Sequence, residues 1–155
     1  MCSSDLLGGL AEDGGQAAAE AIMTTDATPK IAERTVRTGV GEIRVGGMAK
    51  GAGMIRPDLG TMIAVVTTDA TLTAGQCDAL LRDAVDATFN CITVDGCTST
   101  SDTVVLLASG AVAGTVAGDD ATLVGAAIHA VCEDLALQIV RDGEGAHRIA
   151  RWEIG

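Results

Sequence analysis

Residues 46–70 read GGMAKGAGMIRPDLGTMIAVVTTDA, and the rest of the chain can be read outward from them. A glycine-rich segment runs into Gly60-Thr61, and an apolar, β-branched run from Met62 to Val66 follows at once. Such a run, bounded by turn residues, predicts a buried strand, here over 62–67. The glycines before it predict a loop over 46–58. A threonine at the mouth of a buried strand is well placed for chemistry, because a rigid element positions what the loop carries.

Downstream of this strand the apolar spacing changes from two to nearly four. Cys77, Leu80, Leu81, Ala84, Val85, Thr88 and Phe89 share one face of a helix opened by Thr73 or Ala74. Asn90 to Val94 is short and β-branched, and Thr103 to Leu107 predicts a second apolar strand. Asp119 or Asp120 can cap a long helix whose apolar face is Leu123, Val124, Ala127, Ile128, Val131, Leu135 and Ile139. It stops near Asp142-Gly143, and a strand is expected over 147–154. Upstream, a helix is expected over 16–23, ended by Thr24-Thr25-Asp26 and Pro29. Thr35 to Val45 alternates around Gly39 and Gly41 as a strand or hairpin. Strands alternating with helices predict an α/β fold with helices layered on a sheet.

Composition narrows the function. The chain has 155 residues, enough for one core, and 48% of them are hydrophobic. One Trp, one Phe and no Tyr leave that core to aliphatic residues. A net charge of −11 argues against binding a phosphate backbone. No uninterrupted apolar run reaches the roughly 18 residues of a membrane span. The first residues lack the basic and apolar regions of a signal peptide. Five scattered cysteines without metal spacing fit buried thiols in a reducing, cytoplasmic compartment, and no metal is expected. Residues 1–8 lead into no periodic segment and read as a non-native leader, so the chain is expected to be part of a longer protein.

An N-terminal threonine solves a problem common to hydroxyl nucleophiles. Its own α-amine, with a pKa near ~7.7–8.0, can take the hydroxyl proton at neutral pH. Cleavage of the Gly60–Thr61 bond would release such a residue. Glycine at position 60 suits that step, since it tolerates strained backbone angles and leaves the carbonyl open to attack. On pattern alone, Gly-Thr before a strand is more often just the end of a loop.

The surrounding motifs add to this. Lys50-Gly51-Ala52-Gly53-Met54, Pro57 and Gly60-Thr61 resemble the signature of the ornithine acetyltransferase (glutamate N-acetyltransferase) family of arginine biosynthesis. Ala21-Ile22-Met23-Thr24-Thr25-Asp26, Asp95-Gly96 with Ser99 to Thr103, and Asp142-Gly143-Glu144-Gly145 are similar to further motifs of that family, in the same order. The resemblance implies a self-processing N-terminal-nucleophile-type fold. Residues 9–60 would be the end of the family's α chain and 61–155 the start of its β chain, in one truncated structural domain. It also implies a reaction. Thr61 would take an acetyl group from N-acetylornithine and pass it to glutamate, with water excluded from the ester.

The same resemblance makes Thr61 the catalytic residue and Gly60-Thr61 the cleavage site. Substrate would be held by Thr24, Thr25, Lys50, Thr61 and Glu144. It implies no cofactor, acetyl-CoA as a conceivable co-substrate, and a heterotetramer or other oligomer of cleaved α and β chains. The family's oxyanion hole, a Thr-Gly pair upstream of the first helix, has no match here, nor have its C-terminal substrate residues. Removing one such donor typically costs about 10²–10³ in rate. Ser101 stands where the family often has Asn.

Two other readings stay open at this stage. One is an N-terminal-nucleophile amidase or aminopeptidase that delivers acyl groups to water. The other is an uncleaved, inactive fragment. Gly51-Ala52-Gly53 lacks the GK[ST] and helix of a phosphate loop. By default Lys50 is a solvated lysine and Glu144 the polar end of a helix. His129, His147, Cys91 and Cys97 read as structural or surface residues, and Asp102 as at most a brace for the Ser-Thr loop.

Overall fold

The computed structural model describes residues 11–53, 61–94, 96, 101–143, 145 and 147–152. The elements run α1 (Gly15–Ala21), β1 (Lys30–Thr38), β2 (Gly41–Lys50), β3 (Ile63–Thr68), α2 (Ala74–Ala87), a 3-10 turn (Phe89–Cys91), β4 (Thr103–Ala108) and α3 (Asp119–Arg141). The four strands form one sheet in the order β1-β2-β3-β4. The first two pairs are antiparallel and β3 pairs with β4 in parallel, through the α2 crossover. This is the helix-on-sheet α/β architecture expected from the sequence.

Side-chain alternation decides which face of the sheet is buried. Ile43 and Val45 of β2, Ala64 and Val66 of β3 and Leu106 of β4 point into the core. They meet Val124, Ile128, Val131 and Leu135 of α3 and Ala84 of α2. Each fully buried Val, Ile or Leu side chain contributes roughly 1.5–3 kcal/mol. α2 begins as its sequence suggests. The Thr73 side chain accepts from the Gln76 amide, and the Gln76 side chain accepts from the Thr73 amide.

Among the described residues, the sheet's second face is only partly covered. Ile31, Ile63, Val105 and Leu107 on that face are exposed. The register sets Ile31, Met48, Val65 and Val105 in one row across all four strands.

Several boundaries differ from expectation. Residues 46–50, expected as loop, are the end of β2. Gly47 is there because a Cβ would come within 2.9 Å of Val131 Cγ1 and 3.0 Å of Leu135 Cδ1. The glycine lets α3 approach the sheet, so it marks a close contact rather than a turn. Neither Asp119 nor Asp120 caps α3. Gly118, at φ +55°, holds that position. Asp120 instead accepts the Gly39 amide of the β1–β2 turn at 2.8 Å. Leu123 is exposed, not part of the buried face. Residues 147–152 are not in a strand, and Phe89–Cys91 form a 3-10 turn. α1 ends at Ala21, two residues early. By length and composition α3 could cross a membrane, with a mean hydropathy of 1.6 over its most apolar window. Here its apolar stripe is buried against the sheet, which accounts for the hydropathy.

Candidate active site

One end of the sheet gathers the motifs. β1 begins at Lys30, β2 ends at Lys50, β3 begins at Ile63 and β4 begins at Thr103. The register pairs Lys30 with Ala49, Lys50 with Ile63, and Ile63 with Thr103, so these four termini lie side by side. The segments that enter or leave them are Thr24–Asp26, Lys50–Gly53, Thr61-Met62 and Ser101-Asp102. The first and last of them are far in sequence from the other two, and this topology brings them together.

Thr61 is half-buried, two residues before β3. Its neighbour Met62 is held from both sides. The Met62 amide donates to Asp102 Oδ1 at 2.9 Å, and its carbonyl accepts from the Thr103 amide at 3.0 Å. Asp102 therefore braces the strand mouth beside Thr61. Gly51 lies against the same residue. A Cβ on it would sit 3.5 Å from Met62 Cα, and its φ of +148° is one that side-chain-bearing residues rarely adopt. Glycine at position 51 thus brings the Lys50–Gly53 loop against the start of β3.

Lys50 is 7% exposed, so the solvated-surface reading does not hold for it. Among the described residues no ion pair engages its ammonium. A buried lysine that no described carboxylate engages is a receptive position for an anionic ligand group. Thr24 and Thr25 are exposed at this same end. Gly60 and Glu144 lie outside the described residues.

Sequence reasoning passed over an ionic cluster beneath these loops. Lys30 is fully buried, and its Nζ lies 2.7 Å from Asp26 Oδ1 and 2.6 Å from Asp142 Oδ2. Asp26 Oδ1 also accepts the Gly51 amide at 2.6 Å, and Oδ2 accepts the Thr24 amide at 3.1 Å. Asp142 Oδ2 accepts the Ala27 amide at 3.0 Å. Burial on its own would push the Asp26 carboxyl up. The Gly51 amide, Lys30 and the Thr24 amide outweigh it, and the carboxyl ends below the ordinary range. A signal was available. Lys30 shares the parity of Ala32 and Val36, so the alternation puts it on the helix-facing side, where a charge needs partners.

Among the described residues no group of three His, Cys, Asp or Glu could hold a metal ion. His129 is half-buried and His147 exposed. Cys132 is buried in the core, which pushes its thiol up to about 11. That makes it a packing residue and a poor nucleophile.

The fold and this sheet end define a class: an α/β domain presenting a threonine at a strand mouth beside a glycine loop and a buried lysine. Comparison with known proteins makes the class specific. The model of the ArgJ family matches residues 3–155, and the chain belongs to that family. It is 51% identical over 136 residues to the arginine biosynthesis bifunctional protein ArgJ of Nitratidesulfovibrio vulgaris, covering 88% of this chain and 35% of that protein. Its likeness to the ArgJ of Thermobifida fusca is 51% over 144 residues, covering 93% and 36%. Among solved structures, the ArgJ of Bacillus halodurans matches with a TM-score of 0.50 and 45% identity, over 53% of this chain and 39% of that one. The chain thus spans about a third of the length of these curated relatives. The family resemblance drawn from the motifs is the one these comparisons return.

Proposed function

We propose that this chain supplies the nucleophile and part of the substrate site of an acyltransferase of arginine biosynthesis. The chain is cleaved at Gly60–Thr61, and Thr61 then uses its new α-amine as base. Its hydroxyl takes the acetyl group of N-acetylornithine and ornithine leaves. The amine of glutamate attacks the acetyl ester and leaves as N-acetylglutamate. Lys50 receives a substrate carboxylate, Thr24 and Thr25 bind at the loop edge, and Glu144 takes the amino end of ornithine. The oxyanion hole and the remaining substrate contacts come from polypeptide beyond these residues. The reaction uses no cofactor, with acetyl-CoA as a further acyl donor in bifunctional members. The working enzyme is an oligomer of both cleaved chains in the cytoplasm.

The observation that carries this reading is the placement of Thr61 beside the Gly51 loop, with buried Lys50 one residue away from that glycine. The names of the relatives, as arginine biosynthesis proteins, favour an acyl acceptor of the amino-acid class over water. The test is a full-length polypeptide containing these 155 residues, given N-acetylornithine and isotopically labelled glutamate. Labelled N-acetylglutamate is expected, and Thr61→Ala should abolish it. Release of free acetate without acetylated glutamate would favour an amidase instead.

A further inference from the structure

We infer that Asp26, Lys30 and Asp142 are positioning residues that hold the Thr24–Asp26 segment and the Lys50–Gly53 loop in fixed register at the sheet end. The inference deepens the acyltransferase reading and, for its kinetic part, rests on it.

Lys30 is the first residue of β1, and its side chain reaches two carboxylates 116 residues apart in sequence, Asp26 and Asp142 (142 − 26). The first carboxylate binds backbone amides of both site segments, Gly51 on one oxygen and Thr24 on the other. The second closes α3, where it is the C-terminal cap residue, and binds the Ala27 amide. Both backbone contacts of Asp26 therefore end in segments of the site, and the Asp142 contact at Ala27 adjoins the first of them. The Asp26 side chain is fully buried, and that of Asp142 is 9% exposed.

A cluster built only for stability would have no need to engage those loop amides. A buried ion pair rarely gains much over apolar packing, which leaves specificity of arrangement as its better use. The amides at Thr24 and Gly51 belong to, or adjoin, the residues read as substrate contacts. Displacing such groups weakens their hold on the substrate in ground state and transition state alike, which reads as a raised KM with kcat little changed. Among the described residues no hydrogen bond or ion pair links the cluster to Thr61, so self-cleavage should not depend on it.

The experiment uses Asp142→Ala and Asp142→Asn, changes at the least buried member of the cluster. Asparagine can keep one oxygen where Asp142 Oδ2 accepts Lys30 and Ala27. Amide hydrogen exchange on this chain is read at Thr24, Ala27 and Gly51. In Asp142→Ala, protection is expected to fall about tenfold at Gly51 as well as at Ala27, and Asp142→Asn should return most of it. Loss confined to Ala27 would overturn the linkage. In the full-length polypeptide, Asp142→Ala should raise KM for N-acetylornithine about tenfold, with kcat changed less than about threefold and cleavage before Thr61 complete. A fall in kcat alone, or no kinetic change beside a lowered Tm, would reduce the cluster to a structural role. If the unmodified polypeptide transfers no acetyl group, the acyltransferase reading fails, and the exchange data still decide the linkage.

Discussion

Replacing Lys30 by Met should be among the most damaging changes to the stability of this chain. Methionine has a similar length and is apolar, so little volume is lost. What is lost is the ammonium between Asp26 and Asp142, at 2.7 and 2.6 Å. Asp26 would then keep its amide partners, Gly51 and Thr24, but stand fully buried as an anion with no counter-charge. Breaking a buried pair from one side typically costs about 3–5 kcal/mol. Total stability for a domain is about 5–15 kcal/mol, so the change removes a large fraction. At about 2–4 °C per kcal/mol for this chain length, Tm should fall by about 6–20 °C.

The pH dependence follows from the same geometry. In the native protein the Asp26 carboxyl is held low, so its stabilising contribution is present above the unfolded carboxylate pKa. That contribution is lost as pH falls below about 4 and through the lowered native value. In Lys30→Met the Lys30 share of that lowering is gone while the Gly51 and Thr24 amides remain, so the carboxyl moves up from its native position and the uncompensated anion is neutralised at a higher pH than in the native protein. The stability gap between the two proteins should therefore be wide at pH 7 and narrow towards pH 4. Urea unfolding followed by far-UV circular dichroism is the suitable assay. The single Trp152 is 86% exposed and would report little of the core by fluorescence. A loss under about 1 kcal/mol, or a gap that does not change with pH, would refute the reasoning.

Two further outcomes are expected. Gly47→Val should destabilise by about 1–3 kcal/mol or more, because the new side chain meets Val131, Leu135 and the Val65 carbonyl at 2.9–3.3 Å from Cβ alone; urea titration checks this, and Leu135→Ala should partly relieve it. Native alkylation at pH 8 should label exposed Cys91 readily and spare Cys132, whose thiol burial pushes up to about 11, until the chain unfolds; mass mapping reads both sites, and early Cys132 labelling would mean that α3 is not packed as described.

The layered architecture was legible because its signals are local. Val124, Ala127, Ile128, Val131, Leu135 and Ile139 recur at helical spacing, and all are buried on α3. Thr73, the expected start of α2, carries a full capping box. The errors arise where a residue serves a distant neighbour. Gly46 and Gly47 lower strand propensity, yet they lie in β2 because α3 needs the space above Gly47. Asp120 suits an N-cap by type, but a turn 81 residues away takes its carboxylate. The site divides in the same way. Thr61 and Lys50 could be named from one contiguous stretch and the Thr24-Thr25 pair from a second short motif. The Asp26–Lys30–Asp142 cluster is spread over 117 positions, and only the topology brings it together. Gly51 shows both sides: its motif was evident, while its contact with Met62 needed the sheet register.

The central claim is that Thr61 is released as an N-terminus and then carries the acetyl group. Intact mass spectrometry of a full-length polypeptide containing these residues, quenched during turnover with N-acetylornithine, tests it directly. Two chains are expected, the second beginning at Thr61 and bearing one acetyl group on that residue when glutamate is withheld. A single uncut chain that still transfers acetyl groups, or an acetyl group carried anywhere but Thr61, would contradict it.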